Sequence, residues 1–191
     1  MPSTYRIPRA TITGAYGRLL EAYARRTWGQ VPDNAYVMWH HKKAMNAVFG
    51  FERKVAKWDA LDPHLASFAQ IASAATIGCT WCMDFGYFMA HDEGLDEAKV
   101  REVPRWRESD VFTPVERDVM EYAEAMSVTP LTVDDDLSRR LQDALGLEAF
   151  VELTQLIALE NMRSRFNSAA GLQAQGFSDV CELPLAVRSN A

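Results

Sequence analysis

The sequence predicts an all-α fold, a bundle of six to eight helices with no sheet, on three observations. Apolar residues recur at three-to-four spacing through five long segments, no stretch alternates as a half-buried strand would, and the boundaries carry helix start and stop chemistry. In chain order, "AYGRLLEAYARRTWG" and "YVMWHHKKAMNAVFGFE" form the first helical runs. Asp62-Pro63 supplies a cap and a first-turn proline for "HLASFAQIASAATIG". Gly78 interrupts that run, and a new helix is expected from about Cys79 to His91, ended by Gly94. Thr113-Pro114 with Glu116 opens "PVERDVMEYAEAMSV", which Thr129-Pro130 closes because the residue before a proline is pushed out of the helical region. Asp134 to Asp136 place carboxylates at the positive end of the next helix, which Gly146 ends. The long run "LEAFVELTQLIALENMRSRFN" is the last.

Composition limits what such a bundle does. The 191 residues suit one domain spanning 1–191, with a soft internal division near 102–112 in the polar link "EVPRWRESDVF". Hydrophobic residues at 48% and charged residues at 24% mark a folded chain rather than a disordered one. A net charge of -6 argues against a nucleic-acid surface, and the one basic run, "RRTWGQ" from Arg25, is too short to reverse that. No segment has the apolar length of a signal peptide or a membrane span, so a cytoplasmic location away from the membrane is expected. The tail after Gly176, with Pro184 and a polar end, is expected to pack loosely.

Within "IGCTWCMDFG", Cys79 and Cys82 lie two residues apart in a chain with three cysteines. On a helix they sit one turn apart on one face, where their sulfurs can meet, and at a first turn the free N–H groups and the helix dipole favour a thiolate. Three readings compete. A zinc site lacks ligands, because the third cysteine is Cys181 and no histidine lies near it in sequence. Simple burial of two thiols is reasonable for so buried a residue type, although Thr80, Trp81 and Asp84 put polar groups beside them. A working redox pair fits a reducing compartment, where a close pair is seldom a structural staple.

Other residues carry weaker signals. His40 and His41 point about 100° apart on a helix and do not readily share a metal. Asp84, about 200° around from Cys82, suits a capping or intersubunit contact. Glu160, Asn161, Arg163 and Arg165 suit a structural ion-pair network or a subunit contact rather than a substrate site.

The run "AATIGCTWCMDFGYFMAHDEGLDEAKV" resembles the signature of the carboxymuconolactone decarboxylase family, in its alkylhydroperoxidase D-like branch with CxxC. "GRLLEAYARRTWGQVPDNAYVMWHHKK" and "ENMRSRFNSAAGL" resemble the outer helices of longer members, so the likeness runs from about Gly14 to Leu172. The resemblance implies a helical homo-oligomer, a trimer or hexamer with a dimer as the smaller alternative, and thiol-based reduction of peroxides or of a partner's disulfide. No cofactor and no metal are expected. By carry-over Cys82 attacks and Cys79 resolves, closing a disulfide that a dithiol reductant protein reopens.

The family pattern also places a Glu twelve residues before the first cysteine and a His four after the second; here those positions are Ser67 and Gly86. Gly86 follows Cys82 by one turn, where an imidazole would reach the sulfur, and glycine cannot act as a base. His91 falls on the opposite side of the helix, which suits a surface or interface role or a base lent to a neighbouring subunit. Weak peroxidase activity and a roomier pocket, with Trp81 lining it or an oligomer seam, are therefore expected. A non-redox decarboxylase, lyase or isomerase, or a binding protein that has lost catalysis, are the alternatives on the same scaffold.

Overall fold

The computed structural model describes residues 3–187, and the polar end at 188–191 lies outside them. Nine α-helices and no strand occur among the described residues: α1 Gly14–Trp28, α2 Asp33–Met38, α3 Lys42–Val55, α4 Pro63–Ile77, α5 Thr80–Asp92, α6 Glu97–Val100, α7 Pro114–Ser127, α8 Asp135–Leu145 and α9 Leu147–Ala170. That is one more than the upper end of the expected six to eight; α2 and α6, of six and four residues, are too short to show a helical period. None of these helices is long and apolar enough to cross a membrane.

The boundary chemistry acts as read. The Asp62 carboxylate accepts the His64 and Leu65 N–H groups at the start of α4. Thr113 and Glu116 form a reciprocal capping box on α7, and Asp134 accepts the Leu137 N–H at 2.8 Å to open α8. Each such cap is worth about 1 kcal/mol. His41 Nδ1 caps α3 by accepting the Ala44 N–H, and His40 Nε2 meets the Pro8 carbonyl at 2.8 Å, so one histidine caps a helix and the other ties the turn before it to the segment before α1.

Helix α4 is the centre of the core because it is apolar or small nearly all round: Leu65, Phe68, Ala69, Ile71, Ala72 and Ala74 are buried. Its polar side chains do not interrupt this, since Ser73 and Thr76 donate back to the Ala69 and Ala72 carbonyls at 2.8 Å each. Around it pack α5, α7 and α9. One apolar cluster runs through Val100, Val103, Trp106 and Phe112 into α7, so the expected soft division is crossed by continuous core.

The tail is where the expectation fails. Phe177 is buried in a 3-10 turn over Phe177–Val180, and Asp84 Oδ2 accepts the N–H groups of Gln175, Gly176 and Phe177 at 2.7 to 3.1 Å. Asp84 Oδ1 takes the Ser178 N–H and hydroxyl. Further along, the Tyr87 hydroxyl donates to the Leu183 carbonyl at 2.7 Å and the Ala186 N–H to that of Arg101 at 2.9 Å. The tail is therefore clasped by α5 through side chains about ninety positions away in the chain.

Candidate active site

Gly78 decides where the cysteines stand. Its φ of 82° ends α4 in the left-handed conformation that only glycine adopts cheaply, and the next residue, Cys79, is already the N-cap of α5. The chain thereby turns back on α4, with Cys82 one turn into the new helix. Cys79 and Cys82 are joined as a disulfide, with Cα atoms 5.3 Å apart. This is the helix-start placement expected from the sequence.

The two sulfurs differ in surroundings. Cys79 Sγ accepts the Cys82 N–H at 3.2 Å, a capping bond of the kind a serine would make. Cys82 Sγ is approached instead by a side chain of α9, the Asn167 amide Nδ2 at 3.4 Å. Cys79 is 1% exposed and Cys82 8%, so Cys82 is the one nearer solvent. Around them lies a second apolar cluster with Val37, Ala74, Trp81, Phe88, Ala170, Leu172 and Phe177. Trp81 is stacked on Phe85 with centroids 5.1 Å apart and donates Nε1–H to Gln175 Oε1 at 3.2 Å, which makes it a strut between α5 and the tail.

Gly86 and Ser67 are both half-buried, on α5 and α4. A Cβ on Gly86 would stand 3.3 Å from Ile71 Cγ1, so Ile71 of α4 is the neighbour that a side chain there would meet.

His91 lies about 13 Å up α5 from Cys82 by helical rise, and it belongs to another constellation. The fold brings it to Glu97 and Cys181, three donors within 4.8 Å of one another, although no histidine is near Cys181 in sequence. His91 Nδ1 and Glu97 Oε1 are in direct hydrogen-bond contact. Glu97 Oε2 is taken by the Glu182 and Leu183 N–H groups. Burial, with the charges of Glu97 and Asp84 added, pushes the Cys181 thiol up to about 11, so its sulfur keeps its proton. Through Glu97 this group ties the tail to the end of α5.

Sequence reading missed Asn167. It follows Glu160 by seven residues, so the two share one face of α9, and that shared polar face on a buried helix was the available signal. Between them Arg163 reaches Glu52 of α3, Gln70 of α4 and Glu160, which makes the polar cluster the ion-pair network expected of it.

The model of the carboxymuconolactone decarboxylase family matches residues 42–125. The uncharacterized protein YnjA of Escherichia coli (strain K12) is 37% identical over 169 residues, covering 88% of this chain and 85% of that protein. The debrominase Bmp8, in a cysteine-to-alanine form with 2,3,4-tribromopyrrole, superposes with a TM-score of 0.80 at 19% identity, over 93% of this chain and 96% of that one. An uncharacterized peroxidase-related protein from Silicibacter sp. TM1040 gives 0.78 at 12% identity, over 92% and 96%. At such identities these two structures share the fold.

Proposed function

The chain belongs to the carboxymuconolactone decarboxylase family, and from that premise we propose that it is a thiol–disulfide oxidoreductase of the alkylhydroperoxidase D-like type, reducing peroxides or a partner's disulfide. One observation carries the reading: two cysteines bonded at a helix start, each sulfur with its own N–H donor, in an otherwise apolar setting. In the reduced state the Cys82 thiolate attacks the outer oxygen of a hydroperoxide. The S–O bond forms as the O–O bond breaks, and the alkoxide leaves as the alcohol after taking a proton. The Cys79 thiol then attacks the sulfenic sulfur, releasing water and closing the disulfide. A donor dithiol returns two electrons by exchange through a mixed disulfide.

Reduced protein mixed with an organic hydroperoxide is expected to consume one equivalent of peroxide per Cys79–Cys82 disulfide formed, read by mass spectrometry after alkylation, and a dithiol is expected to reverse it. If no disulfide forms with any peroxide or disulfide oxidant, the redox reading gives way to a non-redox decarboxylase, lyase or isomerase. A second reading, reductive removal of halogen from an aromatic ring, draws support from the rings of Trp81, Phe88 and Phe177 clustered with the cysteines and from the debrominase of like fold. The same thiol count with a bromopyrrole in place of peroxide separates the two.

The proposal extends to assembly. Tyr16, Leu19 and Tyr23 form an exposed apolar stripe on α1, with Leu19 67% exposed, and such a stripe is suited to burial against a second copy. Light scattering across a dilution series is expected to give a trimer or hexamer, with a dimer as the smaller outcome. The mass of a 21.5 kDa monomer at every concentration would remove this part of the proposal.

A further inference from the structure

We infer that Asn167 is the group that holds the Cys82 sulfur as a thiolate, in the role for which the family pattern has a histidine one turn along α5. The inference rests on the thiol reading of the site and adds the activating group which that reading lacks.

The placement of Asn167 is the first argument. Asn167 is 2% exposed, and its amide nitrogen lies 3.4 Å from Cys82 Sγ. Its backbone is fixed by the end of α9, where its carbonyl accepts the Leu172 N–H at 3.0 Å and Gly171 turns the chain with φ of 81°. One turn earlier, Ser164 donates to Glu160 at 2.6 Å, and Arg163 ties the helix to α3 and α4. The amide is thus held at a set height against the sulfur.

Chemistry is the second argument. A buried amide donor needs an acceptor, and a thiol or disulfide sulfur is a poor one. As a mere packing residue against Cys82, itself a member of the apolar cluster with Val37, Ala170 and Leu172, asparagine is a costly choice beside leucine or methionine. A thiolate changes the balance, because a hydrogen bond to a charged acceptor is about twice as strong as a neutral one. The donor therefore stabilises the anion far more than the thiol, which is the condition for lowering a thiol's pKa.

The arrangement also separates the two sulfurs. Cys79 is served by a backbone N–H within its own turn, whereas Cys82 depends on a side chain from another helix. Asn167 has no proton to give up, so it activates the attacking sulfur without protonating the leaving oxygen. Slow peroxide turnover with a ready thiolate follows.

The test isolates one thiol. In a Cys79→Ser, Cys181→Ser background, in which serine keeps the α5 cap, the ultraviolet thiolate absorbance of Cys82 is followed against pH. Asn167→Ala is expected to raise the midpoint by about one to two pH units, the worth of one charge-assisted hydrogen bond. Asn167→Asp keeps the volume and is expected to raise it further, because a carboxylate repels the thiolate. A midpoint that stays or falls in both folded variants overturns the inference. Should the alanine variant not fold, the aspartate variant decides. Should neither fold, the side-chain amide resonances of Asn167 in the reduced wild-type protein decide, by titrating with Cys82 or failing to. No substrate enters the measurement, so a shifted midpoint without disulfide formation would remove the oxidoreductase and leave the thiolate assignment standing.

Discussion

Replacing Arg163 by alanine is expected to lower the free energy of unfolding by about 3–5 kcal/mol, the cost of breaking a buried ion pair from one side. Arg163 holds three elements at once: Nε donates to Glu52 Oε1 at 2.9 Å, Nη1 to Gln70 Oε1 at 2.8 Å and to Glu160 Oε2 at 3.3 Å, and Nη2 pairs with Glu52 Oε2. The carboxylate left behind matters more than the bonds lost. Glu160 is 5% exposed, and burial pushes its carboxyl above the usual range even with Arg163 and Ser164 opposing it. Without the guanidinium it loses its counter-charge and takes up a proton only by folding around a neutral acid. The sign follows: a carboxyl whose folded pKa is raised binds more protons folded than unfolded, so its stability contribution falls as pH rises from the ordinary carboxylate range through the folded value. The variant's deficit is therefore expected to be larger at neutral than at mildly acid pH. Urea midpoints at the two pH values measure it, and Glu160→Gln in the Arg163→Ala background is expected to recover part of the loss. An equal small deficit at both pH values would show that Arg163 acts mainly through packing of its stem.

What could be read from the chain and what could not divide by range. Asp62, Thr113, Glu116 and Asp134 were legible as helix starts because a cap works on N–H groups two or three residues away. The helix-start position of Cys79 was legible for the same reason, through Gly78. The firm seat of the tail was not, because it depends on Asp84, a residue read only as a cap or subunit contact, reaching the Gln175 to Ser178 backbone. Nor was the meeting of His91 with Cys181, which follows from where that tail is laid. At Gly86 the sequence shows that a side chain is missing but not which neighbour a side chain there would meet, and here that neighbour is Ile71. Asn167 was out of reach in the same way, since its partner lies 85 residues back on another helix.

Peroxide consumption is expected to vanish in Cys82→Ser and to rise by up to about 10²-fold when Gly86→His and Ser67→Glu are combined, the lower end of what a well-placed general acid–base group contributes. Cys82 is the attacking sulfur in this scheme, and serine there leaves Cys79, 1% exposed, with no route to peroxide. Cys79→Ser is expected to stop at a sulfenic acid on Cys82, trapped by a dimedone-type reagent, because no second thiol closes the bond. The gain from histidine has a steric condition. Its Cβ would sit 3.3 Å from Ile71 Cγ1, so the imidazole swings toward Cys82 freely only if Ile71 gives way. Ile71→Ala in the same chain opens that space, at a stability cost the imidazole partly offsets by filling it. The ordering expected is wild type, then the double variant, then the double variant with Ile71→Ala, with the Cys82→Ser change abolishing the rate in every background. The added histidine supplies what Asn167 cannot, a proton for the departing oxygen, so the gain should be larger for alkyl hydroperoxides than for disulfide substrates, whose leaving thiolate needs no proton. A rate that stays flat in both histidine variants while the wild-type disulfide still forms readily would mean that proton delivery does not limit the reaction. The formation of the thiolate beside Asn167 would then be the step to examine.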